Sequence, residues 1–444
     1  MRNIFSGIRI LSYVVVVLFF LSLFGSAAIH VSRGGQRLGI MTSPVRYLVS
    51  FPELVLKVLK SDIISGIPIY FIPKDGSFEH LNLLDRNIFA LNGKYHIEDN
   101  TWQVILVNLQ TGEVKHRWTV PKETFFYYEG QSSDLYRYSP PKNSILLANR
   151  SIITNNDWTK NLYCLDKNSN IVWHNTDKVF HHACNLDSAG NLWVCTRAKR
   201  KIAHHNGNKT LMYGDDFITK IDTKTGKIIY DKSVSDILIE NGYKNYVFGF
   251  NNATNQNPDA DPLHLNDIEV ALKSTDFWNE GDLFLSLRHK SLVVQYRPGD
   301  GKIINLLFGP FLHQHDVDII SDSEISIFNN NNSSVGVDDV YPDVSYAYGE
   351  ELNLGNSELL IYDFMSRTYR SKLNDHFDEE HIFSRTNGLS ELLDSGEYYI
   401  ESYDNAKMYI MNEDSIIWKK QWATDIPEMV ELPQWMRIYE NIDF

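Results

Sequence analysis

Ile218-Thr219-Lys220-Ile221-Asp222, followed by Thr225-Gly226-Lys227-Ile228-Ile229-Tyr230, spells a strand, a tight turn and a second strand. β-Branched residues alternating on either side of a Thr-Gly turn are the pattern of a β-hairpin. The figure recurs along the chain. Val104-Ile105-Leu106-Val107 leads through Thr111-Gly112-Glu113-Val114 to Trp118, and Leu162-Tyr163-Cys164-Leu165 leads through Ser169-Asn170-Ile171-Val172 to Trp173. Val293-Val294-Gln295-Tyr296 precedes Asp300-Gly301-Lys302-Ile303-Ile304, and Met408-Tyr409-Ile410-Met411 precedes Asp414-Ser415-Ile416-Ile417-Trp418. A degenerate copy runs from Leu359-Leu360-Ile361-Tyr362-Asp363 to Arg367-Thr368-Tyr369. Partner strands such as Gly190-Asn191-Leu192-Trp193-Val194 and Gly281-Asp282-Leu283-Phe284-Leu285 lie between the copies. Such a unit cannot bury its apolar face alone, so neighbouring units must cover it. Six outer hairpins predict an all-β fold, a six-bladed β-propeller with insertions. A pair of β-sandwiches is the competing arrangement.

The chain has 444 residues, 43% of them hydrophobic and 13% aromatic, which fits a substantial core and excludes a disordered chain. With 42 Lys and Arg against 56 Asp and Glu, the formal net charge is -14. That balance excludes duplex nucleic acid as a partner, because non-specific affinity for phosphates needs positive charge. A small anionic substrate stays compatible, since a few buried His and Arg can oppose the global field locally. Three cysteines, Cys164, Cys184 and Cys195, are too few for a disulfide scaffold. Cys184 and Cys195 flank a tight turn, which leaves open a bond across a hairpin or two buried thiols. No CxxC pair exists, so a thiolate zinc site has no support.

Ile10 to Ile29 carries no formal charge and is long enough to span a bilayer core. Arg2 and Arg9 precede it, and Ser26-Ala27-Ala28 has the small residues of a cleavage site, so residues 1–30 read as a transmembrane anchor or an uncleaved signal. Residues 31–69 form a linker. Within it Phe51, Leu54, Val55, Val58, Leu59 and Ile63 recur at helical spacing, as in an amphipathic helix lying on a membrane or packed on the domain. Residues 70–444 hold the β domain. This order predicts a membrane-anchored protein with its β domain on the extracytoplasmic, periplasmic side.

Three places join strand signals to dense polar chemistry: His181-His182, His264-Leu265-Asn266-Asp267 with Ser286-Leu287-Arg288-His289, and His313-Gln314-His315-Asp316. Each falls at or before a strand feeding a hairpin, where sequence-distant residues meet around a common centre. His174, His204, His205 and His289 read as hydrogen-bonded surface or core histidines. His182, His264 and His315 supply enough imidazoles for a metal. Arg288 argues against one, because a permanent cation beside a divalent ion is costly, whereas it matches the oxygens of a sulfuryl or phosphoryl group. No extended platform for a quinone or other cofactor is present.

Phe180-His181-His182 with Gly190-Asn191, Asp261-Pro262-Leu263-His264-Leu265-Asn266-Asp267, Leu285-Ser286-Leu287-Arg288-His289 and Gln314-His315-Asp316 together resemble the bacterial arylsulfotransferases. The resemblance to these extracytoplasmic, PQQ-like β-propeller enzymes covers roughly residues 70–444. It carries the family's His-x-Asn, Ser-x-Arg and Gln-His motifs in order. It implies transfer of a sulfuryl group from an aryl sulfate to a phenolic or similar hydroxyl acceptor, without a nucleotide donor and without a cofactor. On that basis His315 is the nucleophile, and His264, Arg288 and one of His182 or His181 cage the sulfuryl oxygens. Asn266, Asp267, Gln314 and Asp316 stand behind them and orient them. The family's Phe-Asp-Asn-Gly turn is here Phe328-Asn329-Asn330-Asn331. A non-catalytic extracytoplasmic binding or scaffold propeller is the alternative, with the same residues serving as a polar core.

Overall fold

The structure is a computed structural model that describes residues 17, 19–20, 22–27, 70–127, 133–203, 210–249, 261–332, 354–440 and 442. The chain divides into two units, Met1–Ile69 and Tyr70–Phe444. In the first, the described residues are helical. Among the described residues no helix is long and apolar enough to cross a membrane. This corrects the expected transmembrane anchor, the membrane as a partner, and the membrane-anchored extracytoplasmic localisation that followed from them. The rest of the 1–30 segment, and the linker 31–69 with its amphipathic helix, lie outside the described residues.

The second unit is largely β. Its hairpins pair as antiparallel ladders, and each of the six quoted repeats supplies two neighbouring strands of one sheet. The first sheet runs in the order Arg437–Glu440, Ile88–His96, Thr101–Asn108, Val114–Thr119. The next four sheets are simple meanders, opening with Pro141–Leu146, Val179–Leu186, Leu265–Val270 and His315–Ile319 respectively. The sixth opens with Leu389–Leu392 and gains the two-residue strand Leu81–Asn82 at its far edge. A small three-stranded sheet joins Phe71–Pro73, Met429–Glu431 and Trp422–Ala423.

This pairing corrects the expectation of a closed six-bladed propeller. The sheets are open and end in edge strands, and among the described residues no ladder continues from one sheet into the next. Hairpin patterning specifies pairing within a sheet and leaves the meeting of sheets unspecified.

Apolar cores lie between successive sheets. One core joins the third and fourth through Cys195, Ile218, Ile268 and Leu285, and another joins the fourth and fifth through Phe284, Val293, Val317 and Ile327. Large side chains are fully covered, among them Trp102, Trp278, Trp418 and Trp435, and burying one is worth about 1.5–3 kcal/mol or more. Where such a side chain has a polar tip, a partner is often in place. The Trp102 indole N–H donates to Tyr136 O at 2.9 Å, and the Tyr136 hydroxyl donates to Val120 O at 2.7 Å. Cys184 faces Val194 across its ladder, so Cys195 turns to the opposite face and into a different core. The two thiols are free and buried.

The opening strands of the second to fifth sheets are irregular at one place. Register shifts occur between Lys142 and Ile145, Phe180 and Cys184, Leu265 and Asp267, and His315 and Val317. Nearby residues take the left-handed backbone: Asn143 (φ 46°), His182 (54°), His264 (54°) and Asp316 (54°). Such a non-glycine residue costs about 1–3 kcal/mol, and bulges of this kind re-aim side chains. Here they re-aim them toward one another.

Candidate active site

His182, His264, Arg288 and His315 line one cavity of about 250 Å³. The opening strands of the third, fourth and fifth sheets deliver the three histidines, and Arg288 follows the end of the strand Leu283–Leu287. The ring of His182 lies 5.2 Å from that of His264 and 6.1 Å from that of His315, and the His315 ring lies 6.1 Å from Trp435. His181 sits beneath the wall. Its ring stacks on Trp158 at 4.6 Å, and its Nδ1 meets His182 Nδ1 at 2.8 Å.

The protonation pattern of His315 follows from its neighbours. Asn330 Nδ2 donates to the carbonyls of Ser384 (2.8 Å) and Asn387 (2.6 Å), so its Oδ1 is an acceptor. His315 Nδ1–H donates to that oxygen at 2.7 Å. Nε2 therefore keeps its lone pair, and it receives a long 3.3 Å contact from the Asn387 N–H. Burial, reinforced by Arg288, holds the His315 imidazole well below its ordinary pKa. Burial does the same to His182, with Lys142 adding to it, and lowers His181 to about 3. These rings are neutral bases or nucleophiles at ordinary pH.

Positive charge comes from two side chains. Arg288 is the expected one, and its Nη1 donates to His289 Nε2 at 2.9 Å. Lys142 was not singled out by sequence. It is buried in the same cavity, with Nζ 2.7 Å from Asn387 Oδ1 and 3.1 Å from Asp157 Oδ2. It occupies the bulged start of the second sheet, as His182 does in the third. Tyr70, Trp158 and Tyr403 supply aromatic walls.

The four expected supporting residues divide. Asn266 Nδ2 donates to Gln314 O at 2.9 Å, and Gln314 Nε2 donates to Ser286 Oγ and Leu292 O, both at 3.1 Å. Asp267 accepts the Val317 N–H at 2.8 Å, and Asp316 accepts the Ser390 N–H at 2.8 Å. Each of these carboxylates clamps its own sheet to the following one. Both line a separate cavity of about 400 Å³, in company with Glu269, Asp318, Glu391 and Arg437.

Asp261, His264 and His289 are a group among the described residues whose donor atoms approach closely enough to hold a metal. Their ring nitrogens and carboxylate are already matched to one another and to arginines. Asp261 Oδ2 meets His264 Nδ1 at 2.6 Å and its Oδ1 meets Arg197 at 2.7 Å. His289 Nδ1 donates to Asp261 O at 2.7 Å. Two guanidinium groups at this place oppose a divalent cation. His289, read from the sequence as a hydrogen-bonded surface or core histidine, holds Arg288 and the Asp261 carbonyl beside the site. His174 is distant from it, stacked on Tyr163 at 4.1 Å, and His204 and His205 lie outside the described residues.

The family model described as Arylsulfotransferase (ASST) matches residues 143–423. That is more than half of the chain, and the chain belongs to this family. Its enzymatic role is accordingly of the sulfotransfer type. No curated protein matches the sequence. Solved structures similar to it include a protein of unknown function from Bacteroides caccae, at 10% identity and a TM-score of 0.46, covering 79% of this chain and 98% of that one. A catalytically inactive virginiamycin B lyase from Staphylococcus aureus with quinupristin is 10% identical, with a TM-score of 0.39, covering 81% and 90%. Kuenenia stuttgartiensis hydrazine synthase is 11% identical, with a TM-score of 0.40, covering 71% and 74%. All three scores lie below 0.5, and the likeness says nothing of this chain's chemistry.

Proposed function

We propose that the protein transfers a sulfuryl group from an aryl sulfate ester to a phenolic or similar hydroxyl acceptor, without a nucleotide donor, through a sulfohistidine on His315. The observation that carries this reading is the tautomer of His315. Its proton is held at Nδ1 by Asn330, and its Nε2 lone pair lies beside Asn387, a residue of the cavity wall. The 3.3 Å amide contact to Nε2 is weak and can give way to an incoming sulfur.

In the first half-reaction Nε2 attacks sulfur and the S–O(aryl) bond breaks. The sulfuryl group passes to His315, and the aryl oxygen leaves with the S–O electron pair as phenolate, which then takes up a proton. In the second, an acceptor oxygen gives up its proton and attacks the same sulfur, the N–S bond breaks, and His315 returns to its starting state. Arg288 and Lys142 bring fixed positive charge to the sulfuryl oxygens, and His182 and His264 bring ring nitrogens. Trp158, Tyr70 and Tyr403 offer apolar surface to the aryl ring.

The test is steady-state transfer from 4-nitrophenyl sulfate to an added phenol with no nucleotide present. Parallel double-reciprocal lines and a sulfated acceptor are expected. Intersecting lines, meaning transfer that requires donor and acceptor to be bound together, would contradict the covalent route. An inert protein would point to the binding or scaffold alternative.

A further inference from the structure

Asp261 touches the cage in two ways. Its carboxylate Oδ2 meets His264 Nδ1 at 2.6 Å, and its backbone carbonyl accepts His289 Nδ1–H at 2.7 Å, while His289 Nε2 in turn takes the Arg288 Nη1–H at 2.9 Å. Its remaining oxygen, Oδ1, lies 2.7 Å from Arg197 Nη2. Arg197 reaches this place because of Gly214. A Cβ there would meet Arg197 Nε and Nη2 at 2.1 Å and Cζ at 2.4 Å, so any larger residue would displace the guanidinium. The backbone around His264 is pinned from both sides, with the Arg288 N–H on His264 O at 3.1 Å and the Leu265 N–H on Asp216 Oδ2 at 2.9 Å.

This arrangement distinguishes His264 from the other imidazoles of the cavity. His315 binds a neutral amide and His182 binds another histidine, whereas the His264 ring binds a carboxylate. A carboxylate on Nδ1 fixes that nitrogen as the proton-bearing one, turns Nε2 to the opposite side of the ring, and stabilises the ring when it carries a second proton. The groups around the ring are His289 at 4.5 Å, His182 at 5.2 Å and Trp158 at 5.9 Å between centroids, with Arg288 and His315 in the same cavity wall. Arg197 holds the carboxylate in place from behind. Burial alone would raise the Asp261 pKa. His264 and Arg197 outweigh it and hold the carboxyl below its usual range, so it stays an anion.

We propose that Asp261, braced by Arg197 over Gly214, is the positioning residue that makes His264 the proton carrier of the reaction. The inference rests on sulfuryl transfer through His315. Protonated His264 gives the Nε2 proton to the aryl oxygen as its bond to sulfur breaks. This leaves neutral His264, the free phenol and N-sulfo-His315. The acceptor hydroxyl then returns its proton to His264 Nε2 as its oxygen takes the sulfuryl group, and both histidines are restored.

A proton carrier matters most for a poor leaving group. The deciding experiment compares phenol release from phenyl sulfate, whose phenol has a pKa of about 10, with release from the far more acidic 4-nitrophenyl sulfate. Asp261→Asn should lower kcat on phenyl sulfate by about 100-fold and on 4-nitrophenyl sulfate by less than about 10-fold, with KM little changed. Asp261→Glu should recover part of the difference. Gly214→Ala, which lies behind the carboxylate and displaces Arg197, should shift the ratio of the two rates the same way and decides the matter if Asp261→Asn does not fold. Equal losses on both esters would overturn the proposal. If the parent protein releases phenol from neither ester, the sulfuryl-transfer reading itself fails, which is a different result.

Discussion

His315 Nδ1 lies 2.7 Å from Asn330 Oδ1, and Asn330 can only accept there because both hydrogens of its amide are committed to the Ser384 and Asn387 carbonyls. The turn that carries Asn330 differs from the family's pattern at the residues on either side of it, yet the residue that fixes the histidine is kept. Asn329, standing where the family has Asp, donates from Nδ2 to Glu358 at 3.3 Å, a contact that two carboxylates would not make. Asn331 takes the left-handed conformation (φ 53°) that glycine would adopt without strain.

Removing this acceptor frees the His315 ring to rotate and to exchange tautomers. Asn330→Ala should slow release of the phenol by about 100-fold, the scale expected when a reacting group is misplaced by about an ångström. Stopped-flow release of 4-nitrophenol measures it. An unchanged rate would mean that Asn330 does not set the nucleophile.

Lys142 is the second fixed cation of the cavity, and it also holds Asn387 against His315 Nε2. Lys142→Met keeps the volume and removes the charge. A fall of about 100-fold in kcat/KM for 4-nitrophenyl sulfate is expected, in line with the loss of one preorganised donor to a developing oxyanion. A variant as active as the parent would remove Lys142 from the site.

Glu431 lies in the small three-stranded sheet, buried, with Oε1 accepting the Tyr95 N–H at 2.7 Å. Burial pushes its carboxyl up to about 8, and the Tyr95 N–H only partly offsets this. An unfolded Glu ionises near about 4.3. As pH rises the unfolded chain therefore releases this proton first. The stability contributed by the protonated form is complete below about 4.3 and is lost as pH climbs to about 8. Glu431→Gln has no proton to lose. Its melting temperature relative to the parent should rise between pH 5 and 8 and level off above. A difference that does not vary with pH would show that Glu431 is not held protonated.

The three thiols, Cys164, Cys184 and Cys195, are buried, and burial raises Cys164 to about 11, Cys184 to about 12, and Cys195 well above its ordinary value. Reaction requires the thiolate and access to it. The native protein should leave an aromatic disulfide reagent unreacted, and the unfolded protein should consume three equivalents with no prior reduction. Consumption of a single equivalent after unfolding would indicate a disulfide.

The strands and their pairing were legible because period-two patterning and Gly or Asn turns act locally. The Thr-Gly of residues 225–226 turns the chain in space where it turns in sequence. The meeting of the sheets is a tertiary property that no window of sequence carries, and there the expected closure gave way to open sheets. At the site, His182, His264, Arg288 and His315 were visible as motif residues. Lys142, Asn387 and Arg197 were not, since each is an ordinary polar residue made special by a bulge, a left-handed turn or a facing glycine. Aligning the opening strands of the sheets, which places Lys142 with His182, is the signal that was available for the first of these. His289 reads in sequence as a hydrogen-bonded histidine, but that the group it holds is its neighbour Arg288 is a fact of the fold.

The central claim is covalent capture of the sulfuryl group by His315. Its most direct measurement is the intact mass of the protein, quenched shortly after mixing with 4-nitrophenyl sulfate in the absence of acceptor, alongside His315→Asn. The account predicts a mass increase of one sulfuryl group in the parent, lost on mild acid treatment and mapped to the peptide containing His315, and no increase in the variant. An adduct that persists in His315→Asn, or phenol release by that variant at the parent's rate, would contradict it.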